Sequence, residues 1–181
     1  MGYAGGKAAA PTYRSLGGHA ETIQIDFNPA VISYETLLNL FWEGHYPEDQ
    51  PWSDQYRNIL FYHSEAQRRL AEQSRKTLAV ARGGIVRTEI RPFEGFHPAE
   101  EYHQKHALQQ YRVFLDDLKR TYPEDGDWIH STTAARLNGY LGGYGDCDNL
   151  SIERDTLELS AANKAELTRM VCGIPPRRTS P

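Results

Sequence analysis

Apolar and polar positions along the first half of the chain fall into two periods that predict alternating strands and helices. From Thr22 to Phe27, Ile23, Ile25 and Phe27 lie on one side and Thr22, Gln24 and Asp26 on the other, the two-residue period of a half-buried strand. Glu21 stands at its entrance and Asn28-Pro29 closes it. Ser33 is a good N-cap, and Tyr34, Leu37, Leu38, Phe41 and Trp42 follow at three- and four-residue spacing, so they predict a helix whose apolar stripe is core. Trp42 is read as packing, and Trp52, in the proline-containing loop after Gly44-His45, as exposed. Asn58 to His63 is apolar on both faces and predicts a short central strand. Ser64 caps a second, mostly solvated helix from Glu65 to about Ala81, which Gly83-Gly84 stops. Val86 to Arg91 alternates again and ends at Pro92, giving a third strand. Phe93 to Pro98 reads as a loop, and Ala99 to His106 as the start of a third helix.

Strand and helix in this alternation make an α+β chain, a two-layer sandwich with helices packed on one sheet. The Pro-Glu-Asp-Gly run between Thr121 and Trp128 marks a boundary, so residues 1–120 are expected to form one domain and residues 121–181 a C-terminal extension of small helical elements. Ser160 to Cys172 reads as a last helix, and Pro175 to Arg178 as disordered. Four glycines between Ala134 and Gly145 invite a phosphate-loop reading, but no Gly-Lys-Ser/Thr follows.

Composition narrows the classes. A net charge of −4 with both signs dispersed, and no basic block interleaved with aromatics, argues against nucleic acid as a partner. No apolar run approaches the ~20 residues needed to cross a bilayer, and residues 1–10 carry no signal-peptide core. Two cysteines, Cys147 and Cys172, far apart and late, fit a reducing compartment better than a disulfide framework, so the expected location is cytoplasmic. His97, His103 and His106 with Glu100 close by raise a metal reading, but no cysteine lies within ligand spacing and histidines on a polar helix are usually solvated.

Several separate words then carry a resemblance. Gly2-Tyr3-Ala4-Gly5-Gly6, Pro11-Thr12-Tyr13, Gly18-His19-Ala20-Glu21, Phe41-Trp42-Glu43, Gln55-Tyr56-Arg57 and Pro98-Ala99-Glu100-Glu101-Tyr102-His103-Gln104, in this order, resemble methionine sulfoxide reductase A over roughly Gly2 to Lys105. The resemblance implies a ferredoxin-like mixed sheet and reduction of the S epimer of methionine sulfoxide, in oxidised proteins or free, with no bound cofactor and with an external thiol reductant, thioredoxin in most of the family. It implies Glu21 as proton donor, Tyr13 and Tyr56 as phenols that hold the sulfoxide oxygen, and Asp54, Tyr102 and His103 as substrate-binding positions. A glutamate kept neutral by burial beside tyrosine hydroxyls suits that donor role.

The family's nucleophile lies in a Gly-Cys-Phe-Trp word upstream of Gly-Tyr-Ala-Gly-Gly, and these 181 residues do not contain it. The expectation is therefore an N-terminally shortened chain, inactive as given, in which any resolving thiol is Cys147 or Cys172. The alternative is a non-catalytic protein that keeps the sulfoxide pocket. Cys147 stands between Asp146 and Asp148, whose charges oppose a thiolate, so it is a poor substitute nucleophile.

Overall fold

The computed structural model describes residues 1–173 and divides the chain into two compact units, Met1–Glu100 and Glu101–Pro181. The segment expected to be disordered, Pro175 to Arg178, lies outside the described residues.

In the first unit the strands are short and form two sheets. β1 (Gly2–Ala4) is the middle strand of an antiparallel set, with β2 (Ala20–Thr22) on one side and β5 (Phe96–Pro98) on the other; β3 (Ile59–Tyr62) and β4 (Glu89–Pro92) make a parallel pair. Two expectations change here. The strand predicted over 22–27 ends at Thr22, and the side that its alternation presents is left largely open: Ile23 is 70% and Ile25 55% exposed, while Phe27 is half-buried and stacks on Tyr34. Glu21 is thus the middle residue of a paired strand and faces Tyr3 in register, not an entrance position. β3 is paired on one side only, with β4, so it is not central. The segment around Phe96, read as loop, is β5.

Helix ends obey local chemistry. α1 (Tyr34–Glu43) starts where the Ser33 hydroxyl accepts from the Thr36 amide, and α2 (Glu65–Arg82) where Ser64 accepts from Gln67. α2 stops at Gly83, whose φ of 62° a side chain would resist. One buried cluster of this unit is Leu38, Trp42, Leu60 and Ala71, with Tyr3, Ala4 and Ala20 buried in the antiparallel sheet, and the Trp42 indole donates to Ser74 Oγ at 3.0 Å. His45 ties α1 to the segment before β4. Its Nδ1 meets the Phe41 carbonyl at 2.7 Å and its Nε2 the Thr88 hydroxyl at 2.9 Å. A carbonyl only accepts, so Nδ1 carries the proton and, in the neutral ring, Nε2 accepts from Thr88.

The second unit is helical: α3 (His106–Gln109), α4 (Arg112–Thr121), α5 (Thr132–Leu141), α6 (Cys147–Glu153) and α7 (Ala161–Cys172). The single helix expected from Ala99 is broken, since Glu101–His103 is one 3₁₀ turn and Lys105 takes a left-handed φ of 47° before α3 begins. Nor is the region beyond residue 120 merely small and polar. Leu108, Phe114, Leu118, Trp128, Leu137, Leu150, Leu157 and Leu167 form a continuous core, each worth about 1.5–3 kcal/mol on burial. Gly142 and Gly143 end α5 and lead into the turn before α6, so the glycine-rich stretch is a helix and its exit.

Cys147 and Cys172 are joined by a disulfide, Cα to Cα 4.8 Å, which staples the first residue of α6 to the last of α7. The reading of two unpaired thiols is corrected, and with it the argument from cysteine count for a reducing compartment. Their separation of 25 residues hides a helix hairpin that returns one to the other. Among the described residues, no helix is long and apolar enough to cross a membrane.

Candidate functional site

The site is built on β2 and on a strap that crosses it. Because residues opposite one another in a sheet share a face, register places Glu21, Tyr3 and His97 in one row across β2, β1 and β5. Tyr3 is buried, and its hydroxyl donates to Glu100 Oε2 at 2.6 Å. The other oxygen, Glu100 Oε1, accepts from the Tyr13 backbone amide at 3.2 Å. One carboxylate therefore fixes both the middle strand and the loop that carries Tyr13. His97 packs edge-on against the buried His19, ring centroids 5.1 Å apart, and His19 Nε2 donates to the Ala8 carbonyl at 3.0 Å.

The strap is the 3₁₀ turn Asp54–Tyr56 with Arg57 after it. Three successive side chains hold three points of the segment from Tyr13 to Glu21. Gln55 Nε2 donates to Glu21 Oε1 at 2.5 Å, Tyr56 shares a hydrogen bond with the Tyr13 side chain, and Arg57 Nη2 donates to the Gly18 carbonyl at 3.0 Å. Gly18 has a φ of 84°, a conformation that makes glycine the natural residue at this turn. Asp54 pairs with Arg57 at 3.4 Å, and Arg57 also approaches Glu89 at 3.8 Å.

Electrostatics mark the same cluster. The Tyr56 phenol is pushed above its ordinary value, first by the hydrogen bond with Tyr13, then by the charge Tyr13 would carry, with desolvation and the nearby Glu21 carboxylate adding in the same direction. That shift keeps the Tyr56 phenol protonated and able to donate. Glu21 is half-buried, and Tyr13 and Tyr56 are exposed, so the enclosure expected around the acid is partial.

Of the residues singled out from sequence, Glu21, Tyr13 and Tyr56 come together, with Asp54 one position before Gln55 on the strap. Tyr102 and His103 belong to the second unit, where their rings lie 4.1 Å apart. Sequence reasoning gave no role to Gln55, or to Glu100 outside the metal reading. Both stand inside words quoted for the resemblance, next to residues that were assigned, and that adjacency was the available signal. Among the described residues, no group of three or more His, Cys, Asp or Glu side chains could hold a metal ion.

The family described as Peptide methionine sulfoxide reductase matches residues 1–121, and that described as Selenoprotein methionine sulfoxide reductase A, helical domain, matches residues 124–171. A Peptide methionine sulfoxide reductase of Drosophila melanogaster is 38% identical over 167 residues, 91% of this chain and 66% of its own length. Peptide methionine sulfoxide reductase A5 of Oryza sativa subsp. japonica is 40% identical over 146 residues, 77% of this chain and 57% of its own length. The chain thus spans a little under two thirds of the length of these relatives. The crystal structure of Mxr1 from Saccharomyces cerevisiae in reduced form superposes with a TM-score of 0.56 at 28% identity, covering 61% of this chain and 69% of that one.

Proposed function

We propose a function from one premise: this chain belongs to the peptide methionine sulfoxide reductase A family. Its site recognises the S epimer of methionine sulfoxide, in oxidised proteins or as the free amino acid, and serves its reduction to methionine. The observation that carries this reading is the convergence of Tyr13, Tyr56 and Glu21. A sulfoxide oxygen is a strong acceptor that must leave as water. Two phenolic O–H groups and a protonated carboxyl are three donors for it, and only the carboxyl is acidic enough to hand over its proton near neutral pH.

The net reaction takes two thiols and one sulfoxide to one disulfide, one thioether and one water. Attack on the sulfoxide sulfur forms a bond from the nucleophile, the S–O bond breaks, and Glu21 protonates the departing oxygen. Both cysteines of this chain are in the Cys147–Cys172 disulfide, so the attacking group is not drawn from these residues as they stand. The 181-residue chain taken alone then binds without turnover. The matching helical-domain family is described as belonging to a selenoprotein, which makes the attacking atom sulfur or selenium. The electrons come from an external dithiol, with thioredoxin the family's reductant. The fold we infer for residues 1–120 is the ferredoxin-like two-layer sandwich, followed by an accessory helical region; the two family matches meet between residues 121 and 124.

The test is turnover with a dithiol and epimer-resolved product analysis, on the chain alone and on the chain extended at its N-terminus by a Gly-Cys-Phe-Trp segment. The expected result is no turnover by the first and S-specific turnover by the second. Turnover by the chain alone, abolished by Cys147→Ser or Cys172→Ser, would mean that a late cysteine is the nucleophile. An inert extended chain that still binds the sulfoxide favours the purely binding reading.

A further inference from the structure

The geometry points to Gln55 as the positioning residue of the acid: its amide fixes which oxygen of Glu21 carries the proton. This rests on the proposed function and deepens it.

A carboxyl group at the end of a glutamate turns easily, since its terminal torsion is broad and nearly two-fold. An acid that must deliver a proton to one point needs that freedom removed. Gln55 Nε2 reaches Glu21 Oε1 at 2.5 Å, the shortest contact in the strap. An amide N–H only donates, so the oxygen it touches must accept. The carbonyl oxygen of a neutral acid is its better acceptor, so this donor favours Oε1 as the carbonyl and the proton on Oε2. Had the partner been a hydroxyl, which gives or takes, either oxygen could have carried it.

The support of Gln55 is itself rigid. The two residues after it are held, Tyr56 by Tyr13 and Arg57 by the Gly18 carbonyl, Asp54 before it pairs with Arg57, and the Asn58 amide donates to Gln50 Oε1 at 2.8 Å. The amide thus approaches Glu21 from a turn anchored at several points. The two phenols supply the rest of the sulfoxide oxygen's hydrogen bonds.

The titratable groups around Glu21 are the phenols of Tyr13 and Tyr56, Tyr3 across the strand pair with Glu100 behind it, and Asp54 with Arg57 on the strap. Asp54 and Glu100 are carboxylates as well, so a Glu21→Gln control isolates the response of the acid itself.

The experiment uses the chain as it is, with N-acetyl-methionine (S)-sulfoxide methylamide as probe, and follows Tyr13 and Tyr56 ring resonances by NMR over pH 3–8. Wild type should bind more tightly as Glu21 takes its proton, and Glu21→Gln should lose that dependence. Gln55→Met, equal in length but without a donor, should bind about 3- to 10-fold more weakly at the acid end, the worth of one hydrogen bond, and with a flattened profile. Gln55→Glu should recover wild-type binding only where its own carboxyl is protonated and can donate, a rescue that a merely space-filling role would not produce. If Gln55→Met keeps the wild-type profile while Glu21→Gln loses it, the positioning role is wrong and the sulfoxide reading stands. If wild type binds no sulfoxide at any pH, the reading of the site fails and the positioning role falls with it.

Discussion

Replacing Asp117 by asparagine should loosen the helical unit by about 2 kcal/mol at neutral pH and by almost nothing near pH 2. Asp117, on α4, is 5% exposed, and burial alone would raise its pKa. Its donors win: the Ser160 amide and Asn163 Nδ2 reach Oδ2 at 2.8 and 2.7 Å, Arg120 Nη1 reaches Oδ1 at 2.7 Å, and the value falls from 3.8 to about 2. Two of these donors begin α7, so the carboxylate anchors that helix to α4. A drop of nearly two units at ~1.36 kcal/mol each gives the figure above. The folded pKa is depressed, so this stability is complete above the unfolded value near 3.8 and drains away as pH falls through about 2. Arg120 is 71% exposed on its side chain and its share is screened by salt, whereas the amide donors' share is not. Amide exchange across α7, including Ser160 and Asn163, measured in wild type and Asp117→Asn at pH 7, 4, 3 and 2.5, isolates the term as a difference between variants. A gap that stays constant across that range, or one below ~0.5 kcal/mol at pH 7, would refute the anchoring argument.

Other outcomes are equally specific. In the extended, active chain Glu21→Gln should cost ~10²–10⁴ in kcat, and Tyr13→Phe or Tyr56→Phe singly less, because either remaining phenol still holds the oxygen. Cys147→Ser with Cys172→Ser should lower the stability of the helical unit by about 3 kcal/mol, the loop-closure term for a separation of 25 residues, read by urea unfolding. Gly2→Ala should disrupt the β1–β5 pairing, since a Cβ there would lie 2.3 Å from the His97 carbonyl oxygen and 2.4 Å from the Phe96 ring; loss of amide protection at Tyr3, which stands in the hydrogen-bonded pair with His97, would show it.

What could be read from the chain was whatever its chemistry states locally. Ser33, Ser64 and Gly83 mark helix ends by their own side chains or lack of one, so α1 and α2 fall where the pattern places them. β1 and β5 are three residues each and exist only because they pair across more than ninety positions, which no window of sequence displays. Ile23 and Ile25 show the converse, a clean alternation with nothing packed on it. The helical unit was under-read because its core residues, among them Trp128, Leu150, Leu157 and Leu167, are spread thinly over separate short elements, so few of those elements show a stripe. Of the cluster, Glu21, Tyr13 and Tyr56 were legible through the words around them. Gln55 was not, because an amide's role depends on what stands opposite it.

The staple between α6 and α7 also bears on how this protein must be assayed. Both sulfurs belong to exposed residues, open to the dithiol that any turnover measurement supplies as electron donor. Each reaction mixture therefore attacks the protein's own cross-link, and readings taken late in a run come from a population with a softened helical unit. Opening the cross-link also turns one dithiol into its disulfide, so each opened chain adds to the oxidised dithiol formed by turnover. The variant with both cysteines replaced by serine is the internal standard: its progress curve is free of that drift, and the difference between the two curves measures how quickly the cross-link is lost.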